Sequence, residues 1–301
     1  MMTSALETHA LGKRYGRHWA LRDCSLQIPI GSVTGLVGLN GAGKTTLLHL
    51  AVGLLEPTIG RIQVFGETPS QTSPRFLARI GFVAQERPLY RRFLVKEMLT
   101  LGKNLNLHWD NDLALSSLAR LKIPMASPVG KLSGGQQAQV SLVLALAKMP
   151  RLLLLDEPFA NVDPLARQEF LKILLEVVAT REMTVLLSSH QIADLHKSCD
   201  HLIILSALQV QVADDIESLL ANHKLLIGPR VGVDAISRAH TIVQASHSGR
   251  QSNLLVRTHS FIDNPSWQVQ DVTLEEIALA YLTLSVESAQ AQQQRKQEVL
   301  Q

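Results

Sequence analysis

A glycine-rich turn followed by a lysine and a threonine could hold phosphate groups. Residues 38–46 fit the pattern G-x-x-x-x-G-K-[ST]. Glycines let backbone N–H groups converge on phosphate oxygens, and the start of the following helix adds partial positive charge. Lys44 would contact the β and γ phosphates, and the Thr45 hydroxyl would bind Mg²⁺. The candidate phosphate-binding residues are Gly38, Leu39, Asn40, Gly41, Ala42, Gly43, Lys44, Thr45 and Thr46.

Two carboxylates, Asp156 and Glu157, directly follow the apolar run 152–155. A buried strand repels charge, so acids at its carboxyl end belong where ligands bind in open α/β sheets. Asp156 is therefore a candidate ligand of Mg²⁺, and Glu157 is a candidate to polarise an attacking water. A solvated strand end is the alternative explanation of this pair.

A third motif, Leu132-Ser133-Gly134-Gly135-Gln136, opens a helical run that extends through Lys148. Ser133 could be an ordinary N-cap in a glycine-containing turn. A serine hydroxyl and free N–H groups at the start of a helix also form an anion-binding site. Both explanations require the same local geometry.

These motifs lie on an alternation of short β-rich runs and helical patterns, which predicts an α/β domain with a largely parallel sheet. A strand over residues 33–37 precedes the glycine-rich turn, and leucines at helical spacing predict a helix over Lys44–Leu55. Further strands are predicted over residues 61–65, 80–84, 152–155, 184–188 and 202–205. The mostly helical region between about Tyr90 and Pro128 is predicted to be an insertion in this strand-rich frame.

The composition changes after about residue 215. Asp214 and Asp215 can cap a short helix through Leu220, and β-like runs at 241–245 and 254–257 flank a turn. Residues 274–284 have the pattern of an amphipathic helix. We predict one domain over residues 1–215 and a small one over 216–285. Residues 286–301 are polar and glutamine-rich, which predicts a frayed helix or a mobile tail.

Composition limits the class of protein. With 301 residues, of which 46% are apolar, the chain is neither fibrous nor wholly disordered. A net charge of +3 gives no strong basic surface, so nucleic acid is not an expected partner. Cys24 and Cys199 fit packed thiols in a reducing compartment. No apolar run approaches the ~18 residues of a membrane helix, and the N-terminus lacks a signal-peptide core, so we expect a cytoplasmic chain.

Together the three motifs resemble those of the ATP-binding cassette (ABC) family, the nucleotide-binding subunits of ABC transporters. The resemblance covers about residues 5–215. It implies an α/β fold with a P-loop ATPase core, a mainly parallel sheet, an antiparallel β subdomain and a helical insertion at about residues 86–150. A small α+β C-terminal domain would follow. ATP and Mg²⁺ are the implied ligands, and ATP hydrolysis is the implied reaction.

The resemblance also implies roles for single residues. Tyr15 matches the aromatic residue that stacks on adenine, and Asp163 matches the aspartate of the D-loop. Gln85 is similar to the Q-loop glutamine, which contacts Mg²⁺ and the attacking water, and His190 to the histidine that steadies the γ-phosphate. The implied catalytic residues are Glu157, His190 and Gln85, and the implied metal ligands are Thr45, Gln85 and Asp156.

In the family, two cassettes close head to tail, so that the signature loop of one, here Ser133–Gln136, covers ATP held by the other. Both halves of such a site are intact in this chain, which leads us to expect a homodimer. The resemblance implies separately encoded membrane-spanning permease subunits that hold the cassettes at the inner face of the cell membrane. We expect the permease to dock near Gln85 and Arg91-Arg92.

The chain departs from the family pattern at three places. Gln137, Ala138 and Gln139 follow the signature where many relatives carry arginines, Ala160 replaces a usual serine, and the turn Ser206-Ala207 lacks the customary glycine. None of these changes removes a group that touches phosphate or metal. We therefore expect hydrolysis to survive, with altered coupling between subunits.

We expect the chain to be the ATP-binding subunit of an exporter. The alternatives are a subunit of an importer and a soluble ABC-type ATPase that does not associate with a membrane. The segment VTLEEIALAYL (272–282) resembles the ending of cassettes that serve ABC-2 type exporters of antibiotics and other hydrophobic compounds, which favours export. An ordinary amphipathic helix also explains this segment. A single cassette without extended heptads argues against the soluble class. A P-loop kinase or GTPase leaves the signature motif unexplained.

Overall fold

The computed structural model describes residues 4–160, 162–192, 195, 198–258, 260, 262 and 264–283. Its strands are β1 (Ser4–Tyr15), β2 (His18–Pro29), β3 (Val33–Val37), β4 (Ile59–Val64), β5 (Ile80–Val83), β6 (Leu152–Leu155), β7 (Thr184–Ser189), β8 (His201–Ser206), β9 (Gln209–Asp215), β10 (His223–Pro229), β11 (Thr241–Ser248), β12 (Gln251–Arg257) and β13 (Gln268–Asp271). Its helices are α1 (Lys44–Ala51), α2 (Pro74–Ala78), α3 (Val95–Leu105), α4 (Asn111–Arg120), α5 (Gly134–Ala147), α6 (Pro164–Thr180), α7 (Ile216–Asn222), α8 (Val233–Ala239) and α9 (274–283). None of these described helices combines the length and hydrophobicity that crossing a membrane requires.

A six-stranded sheet with the order β5-β6-β7-β3-β8-β9 forms the centre of the fold. Its first five strands pair in parallel, and β9 is antiparallel at the edge. Every residue of β3 and β6 is buried. Leu153 and Leu155 join a cluster that includes Phe170 of α6, whereas Leu152 and Leu154 join a cluster with leucines of α1. Apolar packing on both faces explains the unbroken hydrophobic runs in the sequence.

The carboxyl ends of the parallel strands lie at one edge of this sheet, which we call the carboxyl edge. Gly38 follows β3, Asp156 follows β6, and His190 follows β7. Gln85 lies just beyond β5. Because parallel strands end side by side, motifs that are far apart in the sequence meet at this edge.

A three-stranded antiparallel sheet, in the order β2-β1-β4, packs against α1. Its apolar side chains, among them Leu6, Leu21 and Val64, share one cluster with Leu47 of α1. Tyr15 lies at the end of β1, opposite His18 across the hairpin. This sheet is the antiparallel subdomain that the family resemblance implied.

Between β5 and β6 the chain is mainly helical, as expected. Helices α3, α4 and α5 share an apolar cluster of their own. Two ion pairs, Arg120–Glu176 and Arg181–Asp110, join α4 to the C-terminal part of α6. The predicted limits of this insertion, residues 86–150, stay a prediction.

A four-stranded antiparallel sheet in the order β11-β12-β10-β13 follows α7. Leu254 packs with Trp267 and with Ile236 of α8. Leu255, which points to the opposite face, joins α9 in the same apolar cluster that fills one side of the central sheet. The division of the chain at residue 215 therefore stays a prediction. The predicted tail at 286–301 lies outside the described residues.

Two local features differ from the sequence-based expectations. Helix α1 ends at Ala51 rather than Leu55, because Gly53 takes a left-handed φ of 78° and Leu54 N–H donates back to His49 O. The turn between β8 and β9 uses Ala207 and Leu208 with positive φ values of 49° and 66°. Such turns normally carry asparagine and glycine, since other residues pay a steric cost there.

Candidate functional site

The phosphate loop, residues 38–46, has a backbone that only glycine fits at two positions. Gly43, which precedes α1, has a φ of 105°, and an added Cβ would lie 2.4 Å from Ala20 O. A Cβ on Gly38 would lie 2.5 Å from Leu205 O. Gly43 has no side-chain cap, so N–H groups at the start of α1 face the loop without a protein side chain as acceptor. The loop is therefore shaped as an anion cradle.

Lys44 is buried and turns back over the phosphate loop. Its Nζ donates to Gly38 O at 2.7 Å and to Leu39 O at 3.2 Å. The same ammonium lies 3.0 Å from Glu157 Oε1. The structure thus joins the phosphate loop directly to the acid pair at the end of β6.

Glu157 lies at the centre of the carboxyl edge. Its Oε2 is 2.7 Å from His190 Nδ1, opposite the contact with Lys44. Burial raises the pKa of Glu157, but the hydrogen bonds and charges of Lys44 and His190 outweigh this effect and leave the pKa below its ordinary value. Glu157 is therefore a buried carboxylate that is ionised at neutral pH. Its backbone has a positive φ of 43°, a strained conformation typical of functional sites.

Ser188, which the sequence analysis did not single out, connects the two acids. Its Oγ accepts from the backbone N–H of Glu157 at 2.8 Å and donates to Asp156 Oδ1 at 2.9 Å. Ser188 and Asp156 are both buried. The sequence signal for this role was the pair of serines before His190 at the end of an apolar strand. That signal does not reveal the partners of Ser188, because they are 31 and 32 residues away in the sequence.

Two cavities flank Glu157. One of about 440 Å³ lies against the phosphate loop and is lined by Ala20, Asn40, Gly41, Gly43, Lys44, Thr45, Thr46, Gln85 and Glu157. The other, of about 330 Å³, extends toward His190 and is lined by Asn40, Gln85, Glu157, Phe159, Ala160, Arg167, Ser188, Ser189, His190 and Gln191. Gln85 and Glu157 border both cavities. Around these cavities the structure brings together a part of the predicted site residues, namely Asn40, Gly41, Gly43, Lys44, Thr45, Thr46, Gln85, Glu157 and His190.

Several predicted residues do not line these cavities. They are Gly38, Leu39, Ala42, Asp156, Tyr15, Asp163 and the signature loop, Ser133–Gln136. Tyr15 is half-exposed, with Lys13 Nζ 5.6 Å from its ring centre. Ser133 caps α5, with reciprocal hydrogen bonds to Gln136 that form a capping box. Asp163 caps α6 by accepting from Ala166 N–H at 2.9 Å. The signature loop, Ser133–Gln136, begins with two exposed residues, Ser133 and Gly134.

Oxygen donors suited to a hard divalent cation occur in the phosphate loop, at the carboxyl end of β6 and just beyond β5. Thr45 presents an exposed hydroxyl in the first turn of α1, and Asp156 supplies a carboxylate at the end of β6. Gln85 adds an amide oxygen at the border of the cavity. Hydroxyl, carboxylate and amide oxygens, completed by water and phosphate, fit Mg²⁺.

Comparison with known proteins accounts for this arrangement. A family model described as ABC transporter matches residues 21–160. The nickel import ATP-binding protein NikO of Rhodobacter capsulatus is 35% identical over an alignment that covers 75% of this chain and 94% of that protein. The chain belongs to the ABC transporter family. As a cassette of that family it binds ATP, and the predicted ATPase activity coupled to transport is confirmed.

A second relative and a solved structure are also similar to this chain. The bacitracin transport ATP-binding protein BcrA of Bacillus licheniformis is 27% identical, and the alignment covers 92% of this chain and 95% of that protein. A solved structure described as the ATP binding subunit of an ABC transporter has a TM-score of 0.65 and 27% identity, covering 72% of this chain and 92% of that one. The predicted fold class is confirmed. Because the named relatives include both nickel import and bacitracin transport, they leave the direction of transport open.

Proposed function

We propose that this ABC cassette hydrolyses ATP at the carboxyl edge, with Glu157 as the group that orients and activates the attacking water. The observation that supports this proposal is the ionised Glu157 carboxylate, which contacts Lys44 with one oxygen and His190 with the other, beside the phosphate loop. A carboxylate with a lowered pKa can accept a hydrogen bond from water at neutral pH. Its buried position keeps that interaction strong.

ATP binding would rearrange these contacts. Lys44 Nζ now contacts two loop carbonyls and Glu157. Triphosphate oxygens in the cradle would compete for this ammonium and free one oxygen of Glu157 for water. His190 would then donate to the γ-phosphate, and the loop N–H groups would bind the remaining charge. Hydrolysis here depends mainly on positioning and charge stabilisation.

Mg²⁺ is the proposed metal cofactor, and Thr45, Asp156 and Gln85 are its proposed ligands. When bound, it would neutralise charge on the β and γ phosphate oxygens. Asp156 is oriented by Ser188, which fixes one of its carboxylate oxygens. Tyr15, half-exposed at the hairpin of β1 and β2, is the proposed stacking surface for adenine.

The proposed active unit is a homodimer. The exposed signature loop and Asp163 do not line the cavities around their own chain's Glu157, which supports their acting on ATP held by a second copy. One chain carries both the phosphate loop and an intact signature, so two copies would form two equivalent sites.

The active unit can be tested with Glu157→Gln, which removes the base but keeps the shape of the side chain. We expect this variant to bind ATP, to hydrolyse it orders of magnitude more slowly and to form ATP-dependent dimers in light scattering. The matched control is Lys44→Ala, which should lose ATP binding and therefore remain monomeric. Near-normal turnover by the glutamine variant would remove Glu157 from this role, and a particle that stays monomeric with ATP would contradict self-pairing.

Separately encoded permease subunits are the proposed transport partners, and they would hold the cassette at the cytoplasmic face of the cell membrane. The surface beyond Gln85 exposes Tyr90 and Phe93, stacked at 5.1 Å, beside Arg91 and Arg92. This combination of aromatic and basic side chains supports docking of a permease there. Co-purification from membranes with a hydrophobic partner, lost after substitution of Tyr90, tests the proposal.

Export is the proposed direction of transport, based on the sequence of the segment at 272–282. That segment includes most of α9, whose Ile277 and Tyr281 are buried, so a packing role accounts for its apolar pattern as well. Reconstitution of the complete transporter in vesicles with the cassette outside gives a direct test. ATP-driven accumulation of substrate inside these vesicles supports export, and ATP-driven depletion of preloaded substrate would overturn it.

A further inference from the structure

Arg87 occupies a sharp turn just after Gln85. Its backbone has a positive φ of 47°, which is uncommon for a residue with a long side chain. Arg87 N–H donates to Ala84 O at 3.0 Å, and Leu89 N–H donates to Arg87 O at 2.7 Å. These bonds close the turn and direct the side chain of Arg87 away from the carboxyl end of β5, toward two other loops.

The guanidinium of Arg87 joins these two loops. Nη1 donates to Gly134 O, in the signature loop, at 3.2 Å. Nη2 donates to Pro158 O at 3.1 Å and to Ala160 O at 2.6 Å, in the segment that follows Glu157. A planar fork of fixed donors can span carbonyls from separate segments in a way that the single nitrogen of lysine cannot. One side chain thus links the turn just after Gln85, the signature loop and the segment that follows Glu157.

This arrangement is costly for a positive charge. Arg87 is partly buried, and desolvation lowers its pKa. Among the described residues, no carboxylate forms an ion pair with it, and its Nε is buried without a hydrogen-bond partner. Partial dipoles of carbonyls compensate the charge less well than a carboxylate would. We therefore attribute the role of Arg87 to the positions in which it holds these carbonyls, and not to stabilisation by an ion pair.

The signature loop and the start of α6 are already in close contact. A Cβ added to Gly135 would lie 3.0 Å from Ala166 Cβ and 3.1 Å from Asp163 Oδ2. Gln139 Nε2 also donates to Ala166 O at 3.3 Å. These contacts fix the distance between α5 and α6, whereas Arg87 holds the exposed tip of the signature loop.

We propose that Arg87 is a positioning residue that aligns its own signature loop for the ATP bound by the partner copy. This inference rests on the two-copy composite site proposed above. Gln85 borders the cavities of one nucleotide site, and Arg87, in the same turn, holds the loop that completes the other site. Movement of this turn at one nucleotide site would therefore change the position of the signature loop that the same chain presents to the other nucleotide site.

A mixing experiment with the full chain separates this role from a local one. Dimers of Arg87→Ala have two misaligned signature loops. Lys44→Ala does not bind ATP and forms no dimer on its own, but it keeps an intact signature loop. We expect either variant alone to lose at least about tenfold in ATPase rate, the value of one charge-assisted hydrogen bond. In a mixed dimer, the phosphate loop of the Arg87→Ala copy faces an intact signature loop. An equimolar mixture should then recover activity, up to about half of the wild-type rate when every chain is in a mixed dimer, since each mixed dimer has one complete site out of two.

Three controls define the outcome. Ser133→Arg mixed with Lys44→Ala tests the composite site itself and should recover activity in the same way. Arg250→Ala, at an exposed hairpin turn of the C-terminal sheet, should retain the wild-type rate. Arg87→Lys keeps the charge but not the fork and should fall between wild type and Arg87→Ala. ATP binding to isolated Arg87→Ala should keep the wild-type Kd, because its phosphate loop is intact.

Recovery in the Ser133→Arg mixture but not in the Arg87→Ala mixture would overturn the proposal, because Arg87 would then serve its own chain. A wild-type rate for Arg87→Ala alone, or loss of its ATP binding, would also overturn it. Failure of the Ser133→Arg mixture would instead refute the composite site and, with it, this inference.

Discussion

Ser188→Ala removes a single hydroxyl that serves both acids of the site. In the wild type, Ser188 Oγ accepts from Glu157 N–H and donates to Asp156 Oδ1, and all three residues are buried. Alanine leaves the N–H without an acceptor and the carboxylate with one donor fewer. A buried unsatisfied group costs about 1–3 kcal/mol, and a hydrogen bond to a charged group contributes about 1.5–3 kcal/mol. Allowing for partial relaxation, we expect a loss of about 3 kcal/mol in the free energy of unfolding.

Ser189→Ala is the matched control. Ser189 is also buried and is the next residue of β7, but its Oγ donates to Gln191 O and accepts from Gln191 N–H. Gln191 is exposed, so water can replace these bonds, and we expect a loss of about 1 kcal/mol. Urea unfolding should place the midpoint of Ser188→Ala about 1 M below wild type for a slope of about 3 kcal/mol/M.

The same substitution should reduce hydrolysis more than ATP binding. Among the described residues, the Ser188 hydroxyl forms no hydrogen bond with the phosphate loop, whereas it accepts from the backbone N–H of Glu157, which has a strained φ. A displacement of Glu157 by about 1 Å is expected to cost about 10²-fold in kcat, with little change in Kd for ATP. A midpoint and a kcat both equal to those of Ser189→Ala would refute the proposed role of this hydrogen-bond pair.

Three further experiments test the phosphate loop, the turn between β8 and β9 and the charge of the site. Gly43→Ala should abolish ATP binding and lower the free energy of unfolding, measured in urea, by more than about 2 kcal/mol, because the added Cβ would lie 2.4 Å from a backbone carbonyl oxygen. The control is Gly249→Ala, which has a φ of 58° but open space around the added Cβ, and it should lose only about 1 kcal/mol. Replacing Ala207 with Asn and Leu208 with Gly should raise the free energy of unfolding by about 1 kcal/mol and shift the urea midpoint upward, since both residues have positive φ. An unchanged midpoint would contradict strain in this turn. Glu157 has a lowered pKa in the folded state, so its stabilisation is complete above the ordinary value of 4.5 and is lost as pH falls through the lowered value. The stability advantage of wild type over Glu157→Gln should therefore shrink on acidification, and a constant difference from pH 7 to about pH 3 would argue against this charge network.

Sequence patterns located the central strands well, because a strand buried on both faces leaves an unbroken apolar run. The predicted limits 33–37 and 152–155 agree with β3 and β6. The long strands β1 and β2 were not located individually: their burial follows neither strict alternation nor a continuous run, and several register shifts interrupt their pairing. Periodicity also overestimated α1, because Gly53, a residue allowed at positive φ, ended the helix before the leucine pattern did.

The residues of the phosphate loop and the acid pair were evident from local sequence, since each motif is contiguous and its chemistry depends on short spacing. The network that links them was not evident. The partners of Lys44, Ser188 and Arg87 are separated in the sequence, and the side-chain contacts depend on how strands and loops meet at the carboxyl edge. A positive φ at Arg87 and Glu157 likewise has no sequence signature, because neither residue type favours that conformation.

Local motifs identify the chemical groups available to this protein: a glycine-rich phosphate cradle, two acids after a buried strand and a capped glycine turn, in an order that resembles ABC cassettes. Which of these groups contact one another depends on the fold. The fold places Glu157 between Lys44 and His190 and connects both acids to Ser188 by hydrogen bonds. Through Arg87 it also joins the signature loop to the segment that follows Glu157. The physical reason is that backbone pattern and residue type are local properties, whereas ion pairing, desolvation and strain depend on neighbours that folding brings together.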